Sequence, residues 1–128
     1  MPDREYILFQ GDQYTIEWYY GSSGKSQALT YFNRLDRRQK IKLIKLVEIM
    51  GTIGVIRNKQ QFNYEGNSIY AFKPQPNRFL CFFYSGKKII VTNAFQKKTQ
   101  KLPKGERERA LRAKADYEQR IERRCYYE

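Results

Sequence analysis

The chain has 128 residues and carries 25 Lys and Arg against 13 Asp and Glu, a formal charge of +12 with a sequence pI near 9.8. Apolar residues make up 41% and aromatic residues 16%, which excludes a disordered or collagen-like chain and sets a single domain able to bury a core. Histidine is absent and cysteine occurs only as Cys81 and Cys125, so histidine-based triads, His-ligated zinc and a disulfide framework are all excluded.

Residues 1–12 and 125–128 are expected to be loosely ordered ends of one domain spanning 1–128. Tyr14–Tyr20 (YTIEWYY) is rich in aromatic and β-branched residues and predicts a first strand. GSSGK interrupts it, and from Ser26 the apolar positions Ala28, Leu29, Phe32 and Leu35 follow helical spacing. Asp36 is a good N-cap for a second helix, with Gln39 three residues on. Its expected buried stripe is Ile41, Ile44, Val47 and Met50, reinforced by Leu43 and Leu46, with Gly51 and Gly54 as stops.

Val55–Ser68 shows no steady period and reads mostly as loop. Three strands then follow closely. Ile69–Lys73 ends at PQPN, Arg78–Tyr84 (RFLCFFY) is apolar enough for a central strand, and Lys88–Phe95 returns after a Ser85-Gly86 turn. QKKTQKLPKG is a basic loop, and Glu106–Arg124 reads as a last helix. The order β, α, α, β, β, β, α predicts an α+β fold. It would consist of a small antiparallel sheet with an N-terminal helical hairpin and a C-terminal helix, the helices covering one face of the sheet. No apolar run reaches the ~18 residues a membrane span needs, and the first residues are too polar for a signal peptide. The chain is therefore read as cytoplasmic.

The charge is lopsided. Residues 1–33 hold two basic against four acidic side chains, whereas residues 97–124 hold eleven against five. Such a field draws polyanions, nucleic acid above all. GSSGKS imitates a phosphate-binding loop, but the full motif needs a glycine where Tyr19 stands. Cys81 sits within an apolar strand as a small hydrophobe, and Cys125 has no histidine base.

The stronger constellation is basic. Lys73 ends one strand, Arg78 opens the next, and Lys97 and Lys98 follow the third. In an antiparallel meander all four meet at one rim of the sheet, with Gln96, Thr99 and Lys101 as added donors. Fixed cations there would stabilise the charge that gathers when an RNA 2′-hydroxyl attacks the adjacent phosphate, while a Lys or Tyr moves protons. The residues alone leave open whether such a cluster cleaves RNA or only grips it.

NRFLCFFY, followed by IIVTNAFQKKTQKLPKGERERA and a basic helix, resembles the RelE/ParE toxin superfamily, in particular its HigB-like and phage-derived members. Residues 69–117 carry the likeness, with Phe95, Lys97, Lys98, Thr99, Lys101 and Pro103 at the positions of the closing motif. The resemblance implies a RelE-like fold and the toxin of a toxin–antitoxin pair, held inactive by a cognate antitoxin protein. It implies an endoribonuclease that cuts mRNA, on the ribosome, without metal or cofactor. Arg78 would then act on the transition-state phosphate, Lys97 and Lys98 on phosphate contact and proton transfer, and Lys73 on substrate alignment. Lys101, Gln96, Thr99 and Tyr84 would bind substrate. The alternative within the same fold is a non-catalytic nucleic-acid-binding or gyrase-inhibiting protein.

Overall fold

The computed structural model describes residues 4–99 and 101–128. Over these the chain runs β1 (Ile7–Gln10), β2 (Thr15–Trp18), α1 (Gln27–Arg34), α2 (Arg37–Ile53), β3 (Phe62–Gly66), β4 (Ile69–Phe72), β5 (Asn77–Tyr84), β6 (Lys88–Gln96) and α3 (Lys104–Glu122). The strands form one sheet in the order β1-β2-β6-β5-β4-β3.

β5 and β6 dictate the layering. Phe79 and Cys81 point to one face of the sheet, Leu80 and Phe82 to the other, and all four are fully buried. A strand apolar at successive positions must be covered on both sides. α1 and α2 cover the first face through Ala28, Leu43, Val47 and Met50, around Ile16, Trp18 and Phe79. α3 covers the second through Ala110 and Tyr117, against Leu80, Phe82 and Ile90. Each of the buried Val, Leu, Ile, Met and Phe side chains among these contributes roughly 1.5–3 kcal/mol by leaving water.

The expected small antiparallel sheet with helices on one face is thereby corrected. The sheet has six strands and is mixed, because β2 lies parallel to β6. A parallel neighbour requires a long crossover, and everything from α1 to β5 supplies it. The N-terminal unit is a β-hairpin rather than a helical one, since β1 pairs with β2 before either helix begins. Residues 7–10 of that hairpin fall within the stretch expected to be loosely ordered, of which 1–3 lie outside the described residues. At the other end Tyr126 is 1% exposed and accepts a hydrogen bond from the Tyr20 N–H at 2.9 Å.

α2 begins where its cap predicts, with the Gln39 N–H donating to Asp36 Oδ1 at 2.8 Å. It runs through Gly51 and ends at Gly54, whose φ of 91° closes the helix. Gly51 serves a different need. A Cβ there would stand 2.5 Å from the Phe9 ring, and one on Gly11 would stand 2.3 Å from the Gly51 carbonyl oxygen, so the β1–β2 turn and the helix touch backbone to backbone. The buried stripe is Leu43, Leu46, Val47 and Met50, and Ile41 is exposed. Val55–Ser68 is mostly loop, as expected, but it also contains a strand the sequence did not announce, β3. No helix among the described residues is long and apolar enough to cross a membrane.

Candidate functional site

Period-two alternation builds a cleft at one end of the sheet, on the face that α3 covers. Asn63 and Glu65 from β3, Ala71 and Lys73 along and just past β4, Arg78 and Leu80 from β5, and Phe95 and Lys97 along and just past β6 all project the same way. The loop before α3 closes the space with Thr99, Lys101 and Pro103. The cleft holds about 150 Å³ and is mostly polar, with Ala71 and Leu80 at its base.

Arg78 is the most enclosed charge in it, 7% exposed. Its Nη1 donates to the Asn77 carbonyl at 2.9 Å and to Gln75 Oε1 at 3.2 Å, which fixes the guanidinium plane. Burial lowers its pKa and the nearby Glu65 carboxylate raises it again. An arginine under such opposing influences stays charged. The Lys73 ammonium lies 3.6 Å from Glu65 Oε2 and donates to the Lys59 carbonyl at 3.2 Å. The Lys97 N–H donates to the Pro76 carbonyl at 2.8 Å, which carries the β5–β6 pairing one step past the strands and holds Lys97 beside the Arg78 turn. Thr99 Oγ1 donates to the Lys101 carbonyl and folds the loop back over the cleft. Arg107 of α3 donates to the Glu65 backbone carbonyl at 2.7 Å, tying β3 to the helix.

Of the residues expected from sequence, Lys73, Arg78, Lys97, Thr99 and Lys101 line this cleft together. Lys98 and Gln96 do not line it. They line an adjoining cavity of about 440 Å³ with Gln27 and Tyr31, on the far side of Phe95. Consecutive residues at a strand end point opposite ways, so Lys97 and Lys98 part company there. Tyr84 closes the other end of β5, with its ring edge-on to Tyr117 at 5.1 Å. Six residues from Arg78 at about 3.3 Å each puts it roughly 20 Å away.

Three members were not foreseen. Glu65 brings a carboxylate among the cations, Asn63 stands two residues before it, and Gln75 orients Arg78. The signal for the first two lay in FNYE, where Phe62 and Tyr64 alternate with Asn63 and Glu65. Among the described residues no group of three or more His, Cys, Asp or Glu side chains could hold a metal ion. Four cations therefore stand around one carboxylate in a small enclosed space.

The model of a family described as phage derived protein Gp49-like (DUF891) matches residues 30–115. That span runs from within α1 to the middle of α3 and includes every residue of the cleft named above. No curated protein matches the chain.

Proposed function

We propose that this chain, which belongs to the Gp49-like family of phage-derived proteins, is a toxin that cleaves messenger RNA. The family is associated with the toxins of toxin–antitoxin pairs, which suggests an antitoxin protein as partner. The observation that carries the ribonuclease reading is the enclosed Arg78 guanidinium, with Lys73, Lys97, Lys101 and Glu65 around one small cleft.

The chemistry follows from charge and reach. A ribose 2′-hydroxyl attacks the phosphorus beside it, and Glu65 accepts the proton it releases. The five-coordinate transition state spreads negative charge over the non-bridging oxygens, where Arg78 and Lys97 hold it. Lys73, paired with Glu65, keeps that carboxylate aimed into the cleft. The bond to the 5′-oxygen breaks, and Lys101 or Lys97 donates the proton that this leaving group needs. The products are a 2′,3′-cyclic phosphate and a 5′-hydroxyl end, so no water is consumed in the first step. Lys98 and Gln96 contact the strand outside the cleft rather than the reacting phosphate.

Mapping the RNA ends left in cells after induction tests this. New 5′-hydroxyl ends within coding frames are expected from the parent, with loss of at least 100-fold for Arg78→Ala and for Arg78→Lys, since a lysine cannot reproduce the fork. Growth inhibition undiminished in Arg78→Ala would refute the assignment. Repeating the digestion on purified mRNA with and without ribosomes separates a ribosome-dependent enzyme from a free one.

A further inference from the structure

The cleft adjoins a second cavity and, through it, a third. Its wall at Phe95, Thr99 and Pro103 is shared with the cavity that holds Lys98. That cavity in turn shares Gln27 and Tyr31 with a third, of about 610 Å³, between α1 and α3. The third cavity has a mainly apolar lining and carries Arg34, Arg109 and Arg112. Its size falls in the range of pockets that enclose small organic groups, ~300–1,000 Å³.

The charges in it are largely unspent. Among the described residues neither Arg34 nor Arg112 has a carboxylate within ion-pair distance, and Arg109 reaches only Glu106, at 3.8 Å. The one acidic side chain of that cavity, Asp116, is occupied by Tyr19 and Arg120. The wall between the second and third cavities is rigid. The Tyr31 hydroxyl donates to Asn77, next to Arg78, and its ring packs edge-on against Phe79 at 5.7 Å.

We propose that single-stranded RNA leaves the cleft past Lys98 and places a flanking base in the cavity between α1 and α3, its phosphates held by Arg34 and Arg112. This rests on the ribonuclease reading and extends it to substrate selection. An apolar hollow takes the flat face of a base, and arginines at its rim take the backbone, which is how sequence-tolerant single-strand grooves work. An acidic protein segment meets the same charges. The run of cations starting at a phosphate-sized cleft favours a strand of phosphates.

The test uses 2′-O-methyl oligoribonucleotides, whose blocked nucleophile prevents cleavage, and reads binding by fluorescence anisotropy. Affinity for the parent protein is expected to rise at least tenfold from dinucleotide to hexanucleotide. The variant carrying Arg34→Ala and Arg112→Ala is expected to lose that gain while keeping dinucleotide binding and its circular dichroism. Its salt dependence should flatten by about 1.4 in log–log slope, for two phosphate contacts on a single strand at ~0.7 each. Affinity independent of length, or a length gain that survives in the variant, overturns the proposal. So does a variant that loses only its binding to a polyglutamate peptide, which assigns the groove to a protein. A parent that cuts RNA but shows no length gain sinks the groove alone, whereas a parent that neither binds nor cuts any RNA sinks the ribonuclease reading with it.

Discussion

The Gln27 side-chain amide is joined to the backbone of Ala94 by two hydrogen bonds, donating to its carbonyl at 2.9 Å and accepting from its N–H at 2.7 Å. β2 stops at Trp18, and the Tyr19 N–H makes the last backbone bond to β6, at Val91. Beyond that point β6 has an open edge, and one side chain stands in for the strand that is missing. An unpaired edge is a template for unwanted pairing. Gln27→Ala is expected to lower stability by about 1–3 kcal/mol, the net worth of two hydrogen bonds and the exposure they prevent. Urea unfolding checks this, and an unchanged midpoint would mean that water replaces the amide at no cost.

On the proposed mechanism, substitution of Glu65 should separate binding from turnover. Removing its charge takes one anion out of a cleft lined by Lys73, Arg78, Lys97 and Lys101. Glu65→Gln should therefore bind a non-cleavable oligoribonucleotide as tightly as the parent or more so. Cleavage should slow by roughly 10²–10⁴, the range a general base contributes. Lys73 keeps its hydrogen bond to the Lys59 carbonyl when the 3.6 Å contact is lost, so the variant is expected to stay folded by circular dichroism. Binding and cleavage falling together would reduce Glu65 to a structural role.

The tyrosines set an alkaline limit. Burial, then the nearby Asp116 carboxylate, pushes the Tyr19 phenol from the ordinary 10.0 up to about 12. Burial likewise raises Tyr117 to about 12. A raised folded-state pKa means that the unfolded chain loses these protons first. The resulting stability is complete below about pH 10 and is lost as pH climbs toward 12. Unfolding followed against pH should be flat from neutrality to about 10 and then fall. Tyr117→Phe, with no proton there to lose, should soften the fall, and an unchanged alkaline limb would argue against this source.

Much of the molecule can be read from its letters because the signals are local. The Asp36 cap, the Ser85-Gly86 turn and the apolar run of β5 are each decided within a few residues, and the structure places them accordingly. The faces of the sheet were harder. Phe79 to Phe82 already required cover on both sides, yet nothing local says which helix goes where, and that choice rests on contacts between distant segments. α2 offered Ile41 and Ile44 as plausibly as Leu43 and Leu46, and only the sheet's position selected the second pair.

The cleft was legible in part for the same reason. Lys73, Arg78 and Lys97 announce themselves as cations at strand ends. Glu65 sits on a strand whose inward positions are polar because they face the cleft, and that polarity made the strand look like loop. Lys97 and Lys98 read as one basic pair because they are neighbours in the chain, but strand geometry sends neighbours to opposite sides.

Because β6 lies between β2 and β5, the middle of the sheet is among its last parts to be synthesised. A nascent chain that has emerged only as far as Tyr84 holds two separate pieces, β1–β2 and β3–β5, each with an open edge where β6 belongs, and no wall carrying Lys97. Pairings between such distant segments form slowly, since the intervening loop must close before any contact rewards it. The order of translation thus delays the assembly of the cleft until β6 and the residues just past it have been made.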